Sequence, residues 1–153
     1  MQTLTINIPE GFRIKSFDEK TGEVSFEPVP KDIKERINSL QDIFELNNTT
    51  QEDFDNKWKG FEPHEKAAAL EILIVAAYNE GKLPDFTDGT YKYYPRFKMG
   101  SPSGLGFSYF VCVRWNSLST VGSRLVFHGK NGYENMLDAV EKFLPQYKDS
   151  RTL

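Results

Sequence analysis

The sequence predicts a single α+β domain over residues 1–153, in which an N-terminal β-meander and a C-terminal three-stranded antiparallel sheet flank a buried central helix, and a last helix follows the sheet. Apolar and polar residues alternate between residues 3 and 26 and again between residues 91 and 128, which is the period of a strand. Apolar residues recur at spacings of three and four between residues 31 and 80, which is the period of a helix. The length of 153 residues suits one domain.

The N-terminal segment predicts the meander. "TLTINI" alternates Leu4, Ile6 and Ile8 with polar residues, and "PEG" ends this first strand. "FRIKSF" and "EVSF" continue the pattern on either side of "DEKTG", where Gly22 can supply the positive φ of a turn. The sequence leaves open whether this meander joins the C-terminal sheet.

The middle of the chain predicts two or three helices. One apolar face marks the first helix, and it consists of Ile33, Ile37, Leu40, Ile43 and Phe44. A short helix follows "NNTT" and carries Phe54 and Trp58. A long helix begins at Pro63 and ends before Gly81, and its stretch 67–78 is apolar on nearly every side except at Glu71. Such a helix is expected to be buried in the centre of the domain.

Three strand-like runs follow, at residues 91–99, 107–115 and 121–128. The connections 100–106 and 116–120 have loop composition and are short enough for antiparallel hairpins. "NGYENMLDAVEKFLPQY" then predicts one closing helix packed on the sheet, with Met136 or Leu137, Val140, Phe143 and Leu144 on its apolar face.

Composition indicates a folded cytoplasmic protein that does not enter a membrane. Hydrophobic residues make up 39% of the chain and aromatic residues 14%, which argues against disorder. The longest apolar run, 72–78, is far shorter than the roughly 20 residues of a membrane-spanning helix. The N-terminus lacks the basic and apolar regions of a signal peptide. Cys112 is the single cysteine, so neither an intrachain disulfide nor a thiolate cluster is expected.

The net charge of −3 is unevenly distributed. Between Gly89 and Tyr133 the chain holds six basic residues and no acidic one. The rest holds 19 minus 6, or 13, basic residues against all 22 acidic ones, which gives −9. One third of the chain is therefore basic and aromatic, and the remainder is acidic.

The residue patterns favour a protein that is not an enzyme and holds no cofactor or metal. The glycine-rich stretch "GSPSGLG" lacks a following Lys-Ser/Thr pair and precedes a strand, so it predicts a hairpin loop. Cys112 lies in an apolar strand, where a buried, inert cysteine is expected, and neither His64 nor His128 has a ligand-spaced partner. Asp85 and Asp88 stand beside Pro and Gly, which indicates turn formation rather than cation binding.

Alternation along the three C-terminal strands predicts two different sheet faces. Tyr91, Tyr93 and Phe97 are expected in the core. The opposite face is expected to carry all the strand cations, interleaved with aromatic residues: Lys92, Tyr94, Arg96, Lys98, Phe110, Arg114, Arg124 and His128. Such a face can neutralise phosphates and stack bases of single-stranded nucleic acid. The alternative is a face that docks on the acidic helices or is simply solvated, and Pro95 indicates an edge strand or a bulge there.

Five short stretches of the chain form a recognisable set: "PEG" at 9–11, "NEG" at 79–81, "PDF" at 84–86, "YYP" at 93–95 and "VGSRL" at 121–125. In this order they resemble a family of small uncharacterised proteins encoded by phages and integrated mobile elements of anaerobic gut bacteria. The chain departs from the family pattern at Phe86, where a tryptophan is usual, and in "HGKNGYE", where a Lys-Ser-x-Glu type helix start is usual. The resemblance carries no established activity. It implies a mobile-element origin and a cytoplasmic accessory role.

Two functional hypotheses follow. The first is a non-enzymatic accessory or protein-interaction protein of a phage or mobile element, with its partner and oligomeric state unspecified by the sequence. The second is a protein that binds single-stranded nucleic acid through the basic, aromatic sheet face.

Overall fold

The computed structural model describes residues 5–29, 31–100, 106–118 and 121–153. These residues form six α-helices and two antiparallel sheets of two strands each, which confirms the α+β class. Contacts divide the chain into two compact units, one up to Asp32 and one from Ile33 to Leu153. The single domain therefore stays a prediction.

The N-terminal unit contains a β-hairpin of β1 (Phe12–Phe17) and β2 (Val24–Pro28). The Asp18 carboxylate accepts from the backbone N–H of Lys20 at 2.8 Å, and Gly22 takes a φ of 75° in the turn, as predicted. The third strand of the expected meander is not confirmed, because residues 5–8 lie outside any strand and residues 3 and 4 lie outside the described residues.

The first predicted helix is two helices, α1 (Ile33–Arg36) and α2 (Leu40–Leu46). The predicted helix is interrupted at Ser39, because Ser39 caps α2. Its Oγ accepts from the N–H of Asp42, and the Asp42 carboxylate accepts from the N–H of Ser39 at 2.8 Å. The Lys142 ammonium donates to the carbonyls of Lys34 and Ile37 at the end of α1, both at 2.7 Å. The predicted apolar face is nevertheless buried at Ile33, Ile37, Ile43 and Phe44, and Leu40 is half-buried against the core.

The long helix α4 (Pro63–Tyr78) is central, as its composition predicts, and follows the short helix α3 (Gln51–Lys57). No residue from 69 to 79 is exposed. After α4 the Gly81 N–H donates to the carbonyl of Ala76 at 2.9 Å with a φ of 74°, which turns the chain away. Within the described residues, no helix combines the length and apolar character needed to cross a membrane.

The C-terminal sheet contains β3 (Lys92–Lys98) and β4 (Ser108–Trp115), and the third strand is not confirmed. Residues 123–125 form a 3₁₀ turn instead, and among the described residues of 121–128 it is Phe127 that bridges to Tyr93, through two backbone hydrogen bonds of 2.8 and 2.9 Å. Along a strand every second N–H points to the same edge. The next N–H on this edge would be that of Pro95, which has none, so a third strand cannot continue past Tyr93.

The predicted closing helix is also divided, into α5 (Gly132–Lys142) and α6 (Leu144–Thr152). Pro145 lies in the first turn of α6, where its missing N–H is tolerated, whereas within a continuous helix its ring would clash with the preceding turn. The break lets α6 contact α4 while α5 contacts β3. The loop predicted at 100–106 falls mainly on 101–105, outside the described residues.

Candidate functional site

The structure places the eight predicted binding residues in three settings. Lys92 is fully buried, and Tyr94 and His128 are half-buried. The other five are exposed: Arg96, Lys98, Phe110, Arg114 and Arg124.

The prediction that these residues share one sheet face is wrong. Tyr93 pairs with Arg114 and Tyr94 with Val113. Residues directly opposite one another in an antiparallel pair share a face, so Arg114 lies on the face of Tyr93, and Tyr94 lies on the other. Alternation within one strand does not determine its register against the next strand, and a shift of one residue exchanges the faces.

A bulge and a missing strand remove two further members from the predicted face. Arg96 pairs with Val111 but Phe97 pairs with Tyr109, so Phe110 is an extra residue at a bulge beside Pro95, and it is 58% exposed. Arg124 lies in the 3₁₀ turn rather than on a strand.

Lys92 holds a loop together and is not available to phosphate. Its ammonium donates to the Asp88 carboxylate at 2.7 Å and to the Thr90 carbonyl at 2.9 Å, and it lies 5.5 Å from the ring centre of Phe86. The Lys92 hydrogen bond, followed by the N–H of Thr90, lowers the pKa of Asp88 to about 2. Asp88 is thus a turn residue, as the sequence indicates, and so is Asp85, which accepts from the N–H of Thr87 at 2.7 Å.

Tyr94 belongs to a largely buried ionic cluster. The Arg151 guanidinium of α6 donates to both oxygens of Glu71 on α4 and, at 2.7 Å, to the Tyr94 hydroxyl. Glu71 is 3% exposed, and the Tyr147 ring packs in the same cluster at 5.9 Å from the guanidinium. Burial raises the pKa of Tyr147 well above its ordinary value. The cluster joins α4, α6 and β3, so its role is structural.

His128 is also held by the fold. Its Nε2 lies 2.9 Å from the Lys82 carbonyl, and its backbone N–H donates to Asn79. The Asn79 side chain in turn donates to the Val126 carbonyl at 2.8 Å. The "NEG" stretch after α4 therefore anchors the chain around Val126 and His128.

Two exposed cations of the predicted set lie over exposed aromatic rings. The Arg114 guanidinium lies 4.8 Å from the ring centre of Tyr91, and the Lys98 ammonium lies 5.1 Å from that of Phe110. Tyr91 is 46% exposed, so its predicted place in the core is wrong.

A cleft of about 390 Å³ opens beside Arg114, between the β3–β4 pair and the first turn of α5. Its lining consists of Tyr93, Cys112, Arg114, Lys130, Tyr133 and Glu134. Cys112 is half-buried with a free thiol, so the expectation of a buried cysteine holds only in part. Among the residues that the structure describes, no group of three His, Cys, Asp or Glu side chains is placed to hold a metal ion.

Sequence reasoning missed both partners of the buried ion pair and two residues of the cleft that the proposal below uses. Glu71 and Arg151 pair across 80 positions, and the only signal was a single acid in an otherwise apolar helix. Lys130 and Tyr133 reach the cleft because α5 begins against β3. The sequence feature that could have identified them is their position in or next to the acid-free basic segment.

The chain was also compared with known proteins. No protein-family model, no curated protein and no solved structure matches it.

Proposed function

We propose that the protein is a non-enzymatic accessory protein that binds a protein partner through the apolar face of its N-terminal hairpin. The mobile-element origin stays a prediction from the resemblance described above. The observation that supports the proposal is the arrangement of side chains on β1 and β2.

The paired residues of the hairpin put apolar side chains on one face and polar side chains on the other. Register pairs Phe12 with Pro28, Ile14 with Phe26 and, after a bulge at Lys15, Phe17 with Val24. These six residues share one face, since opposite residues point the same way and the bulge restores Phe17 to that side. The other face carries an Arg13–Glu27 ion pair at 2.6 Å and a contact of 2.6 Å between the Ser16 and Ser25 hydroxyls.

The apolar face is exposed along β1 and partly buried along β2. Phe12, Ile14 and Phe17 are 43%, 40% and 46% exposed, whereas Val24 and Phe26 are half-buried. A two-stranded hairpin has no second layer of its own, and such a face is stable in water only when a helix, a sheet or a partner covers it. Six residues are fewer than the roughly 20–30 that each side of a standard flat interface contributes. We therefore infer a partner with an apolar groove that receives the hairpin as an anchor.

The test compares two matched double variants in affinity capture from lysates of the source cells. Phe12→Lys/Phe17→Lys adds two charges to the apolar face, and Ser16→Lys/Ser25→Lys adds two charges to the polar face. The proposal expects one specific partner that the wild type and the polar-face variant retain and that the apolar-face variant loses. The same proteins with all three baits would contradict it.

Two further outcomes would assign the face to another occupant. Concentration-dependent self-association that only Phe12→Lys/Phe17→Lys abolishes would identify a second copy of the chain as the occupant. A much lower unfolding midpoint for Phe12→Lys/Phe17→Lys than for Ser16→Lys/Ser25→Lys would indicate a role in folding instead.

Single-stranded nucleic-acid binding is a second candidate, and the two exposed pairs Arg114–Tyr91 and Lys98–Phe110 favour it. Each pair puts a cation next to a ring, which is the combination that contacts phosphate and base. With Lys92 and His128 held by the fold, four cations of the predicted set remain exposed: Arg96, Lys98, Arg114 and Arg124. Four contacts predict a slope of about −3 in log K against log salt.

Fluorescence anisotropy with a labelled mixed-sequence oligonucleotide measures this slope. Replacing Lys98 or Arg114 by Ala is expected to reduce its magnitude by about 0.7 each. Lys59→Ala, an exposed lysine after α3, is the control and leaves the slope unchanged. Binding that is absent or insensitive to salt would exclude this second candidate.

A further inference from the structure

The cleft between the β3–β4 pair and α5 has the volume of a small-ligand site. Its volume of about 390 Å³ falls within the range of roughly 300–1,000 Å³ typical of ligand pockets. Tyr93 and Cys112 form its floor as half-buried residues, whereas Arg114, Lys130 and Tyr133 are exposed. A ligand in the cleft would meet the cations and rings together.

Two tyrosine rings, those of Tyr93 and Tyr133, line this site, and the Tyr91 ring lies outside the lining with its centre 6.4 Å from that of Tyr93. The ring centres of Tyr93 and Tyr133 are 5.7 Å apart. Gly132 allows this approach, because a Cβ there would lie only 3.2 Å from Cδ2 of Tyr93. Any larger residue would move α5 or the Tyr93 ring, so the absence of a side chain at position 132 positions the aromatic wall.

The charges in the cleft favour an anion. Arg114 and Lys130 form no ion pair with any residue that the structure describes, in contrast to Lys92, Lys142 and Arg151. Glu134 is the one carboxylate in the lining, and it is exposed in the first turn of α5. The cations are thus available to a phosphate, and the exposed carboxylate of Glu134 opposes an anion through a charge that solvent partly screens.

We propose that this cleft binds one nucleotide, with its base against the tyrosine rings and its phosphate between Arg114 and Lys130. An inorganic anion would leave the rings unused, and a purely apolar ligand would leave the cations unused. Two ligands carry this combination of base and phosphate, namely a free mononucleotide and the phosphorylated end of a single strand. For the strand end, the inference rests on the second candidate function above.

The first experiment titrates the full chain with adenosine 5′-monophosphate and follows backbone amide shifts by NMR. Adenosine and inorganic phosphate, each alone, are the controls. The proposal expects shifts at residues 91–93, 112–114 and 130–134 with the mononucleotide, and affinities for adenosine and phosphate at least about 10-fold weaker. No saturable shifts at these residues, or equal binding of phosphate alone, would overturn it.

Variants then test the named side chains. Arg114→Ala is expected to weaken mononucleotide binding by about 10-fold, and Tyr133→Leu, which keeps an apolar side chain but removes the ring, by about 5-fold. Lys59→Ala is expected to change nothing. Glu134→Lys is expected to strengthen binding, whereas Glu141→Lys, the same charge change two turns along α5, is expected to have little effect. Equal affinities in Arg114→Ala and the wild type would overturn the assignment.

A short oligoadenylate with and without a 5′-phosphate separates the two sources. A preference for the phosphorylated strand that Arg114→Ala abolishes assigns the cleft to strand ends. Mononucleotide binding without oligonucleotide binding assigns the cleft to free nucleotides. This outcome excludes the second candidate function but leaves the nucleotide site in place. Salt-dependent oligonucleotide binding that neither Tyr133→Leu nor free mononucleotide changes would exclude the cleft as a nucleotide site. This outcome would leave the second candidate function in place.

Discussion

The two hairpins of this protein have the same plan and opposite surroundings. The β1–β2 pair and the β3–β4 pair are both antiparallel, two-stranded and interrupted by one bulge. Every residue of β1 is exposed. In β3 the first four residues are buried or half-buried, and exposed residues occur only among the last three. The difference shows that strand pairing alone does not bury a face.

The C-terminal hairpin is buried because helices and side-chain bonds cover it. α5 packs on β3, and Tyr147 of α6 lies against the Phe97 ring at a centre distance of 5.4 Å. Arg151 adds a hydrogen bond to Tyr94. A pair of strands with a helix on one face can be stable in water, and one without is marginal. Substitutions in the two hairpins should therefore have very different effects on stability.

The largest expected effect follows removal of Arg151. Arg151→Met leaves Glu71 buried without its cation and is expected to lower the free energy of unfolding by about 3 kcal/mol. Arg36→Met, which opens the exposed Arg36–Glu80 pair, is the control and should cost less than about 1 kcal/mol. Urea unfolding measures both. The double variant Glu71→Leu/Arg151→Met should recover most of the loss, and a double variant no more stable than Arg151→Met would contradict this account.

Truncation of Phe97 is expected to have the next largest effect. Its ring stacks on Phe107 at 4.8 Å and packs against Tyr147, so Phe97→Ala should lower the free energy of unfolding by about 2 kcal/mol. Thermal unfolding followed by circular dichroism measures the change. A loss below about 0.5 kcal/mol would mean that α6 does not hold this hairpin.

The Asp88–Lys92 contact predicts a pH dependence at the start of β3. The pKa of Asp88 is lowered to about 2 in the folded chain, against about 3.9 for an unperturbed carboxyl. Its contribution to stability is therefore complete above about pH 4 and is lost as the pH falls towards 2.

Urea midpoints of the wild type and Asp88→Asn, measured from pH 6 to pH 2, check this prediction. The difference between them should shrink below about pH 4. In a Lys92→Met background the difference should be smaller at every pH, since Lys92 is the main cause of the lowered pKa. A difference that stays constant across this range would refute the assignment.

The smallest effect is expected in the N-terminal hairpin. Phe17 is 46% exposed, so Phe17→Ala should change the free energy of unfolding by less than about 0.5 kcal/mol. The same instrument and conditions as for Phe97→Ala make the comparison direct. A loss as large as that of Phe97→Ala would show that the β1–β2 face is covered in solution.

Much of the fold could be predicted from local patterns. The periodicities located both hairpins, the core face of α1 and α2, and the buried helix α4. The breaks in two predicted helices were missed although signals existed, namely the Ser39–Asp42 capping box and Pro145. The third strand was overpredicted because an alternating run such as 121–128 also suits an extended chain with a single bridge.

The candidate site was less predictable than the fold. The acid-free segment 90–132 was correctly recognised as basic and aromatic, but the common face was not formed. Register, a bulge and the burial of Lys92 each depend on contacts with other elements. Composition could not distinguish an exposed Arg114 from a buried Lys92.

The sequence by itself determined the α+β class, the turn at Gly22, the N-terminal caps of α2 and α3 and the central place of α4, because periodicity and local hydrogen bonding act within a few residues. Only the tertiary structure decided which cations remain exposed, that Glu71 meets Arg151, and that Tyr93 and Tyr133 form one wall of a cleft. These are relations between distant segments. They depend on strand register and helix packing, and a shift of one residue in either would exchange buried side chains for exposed ones.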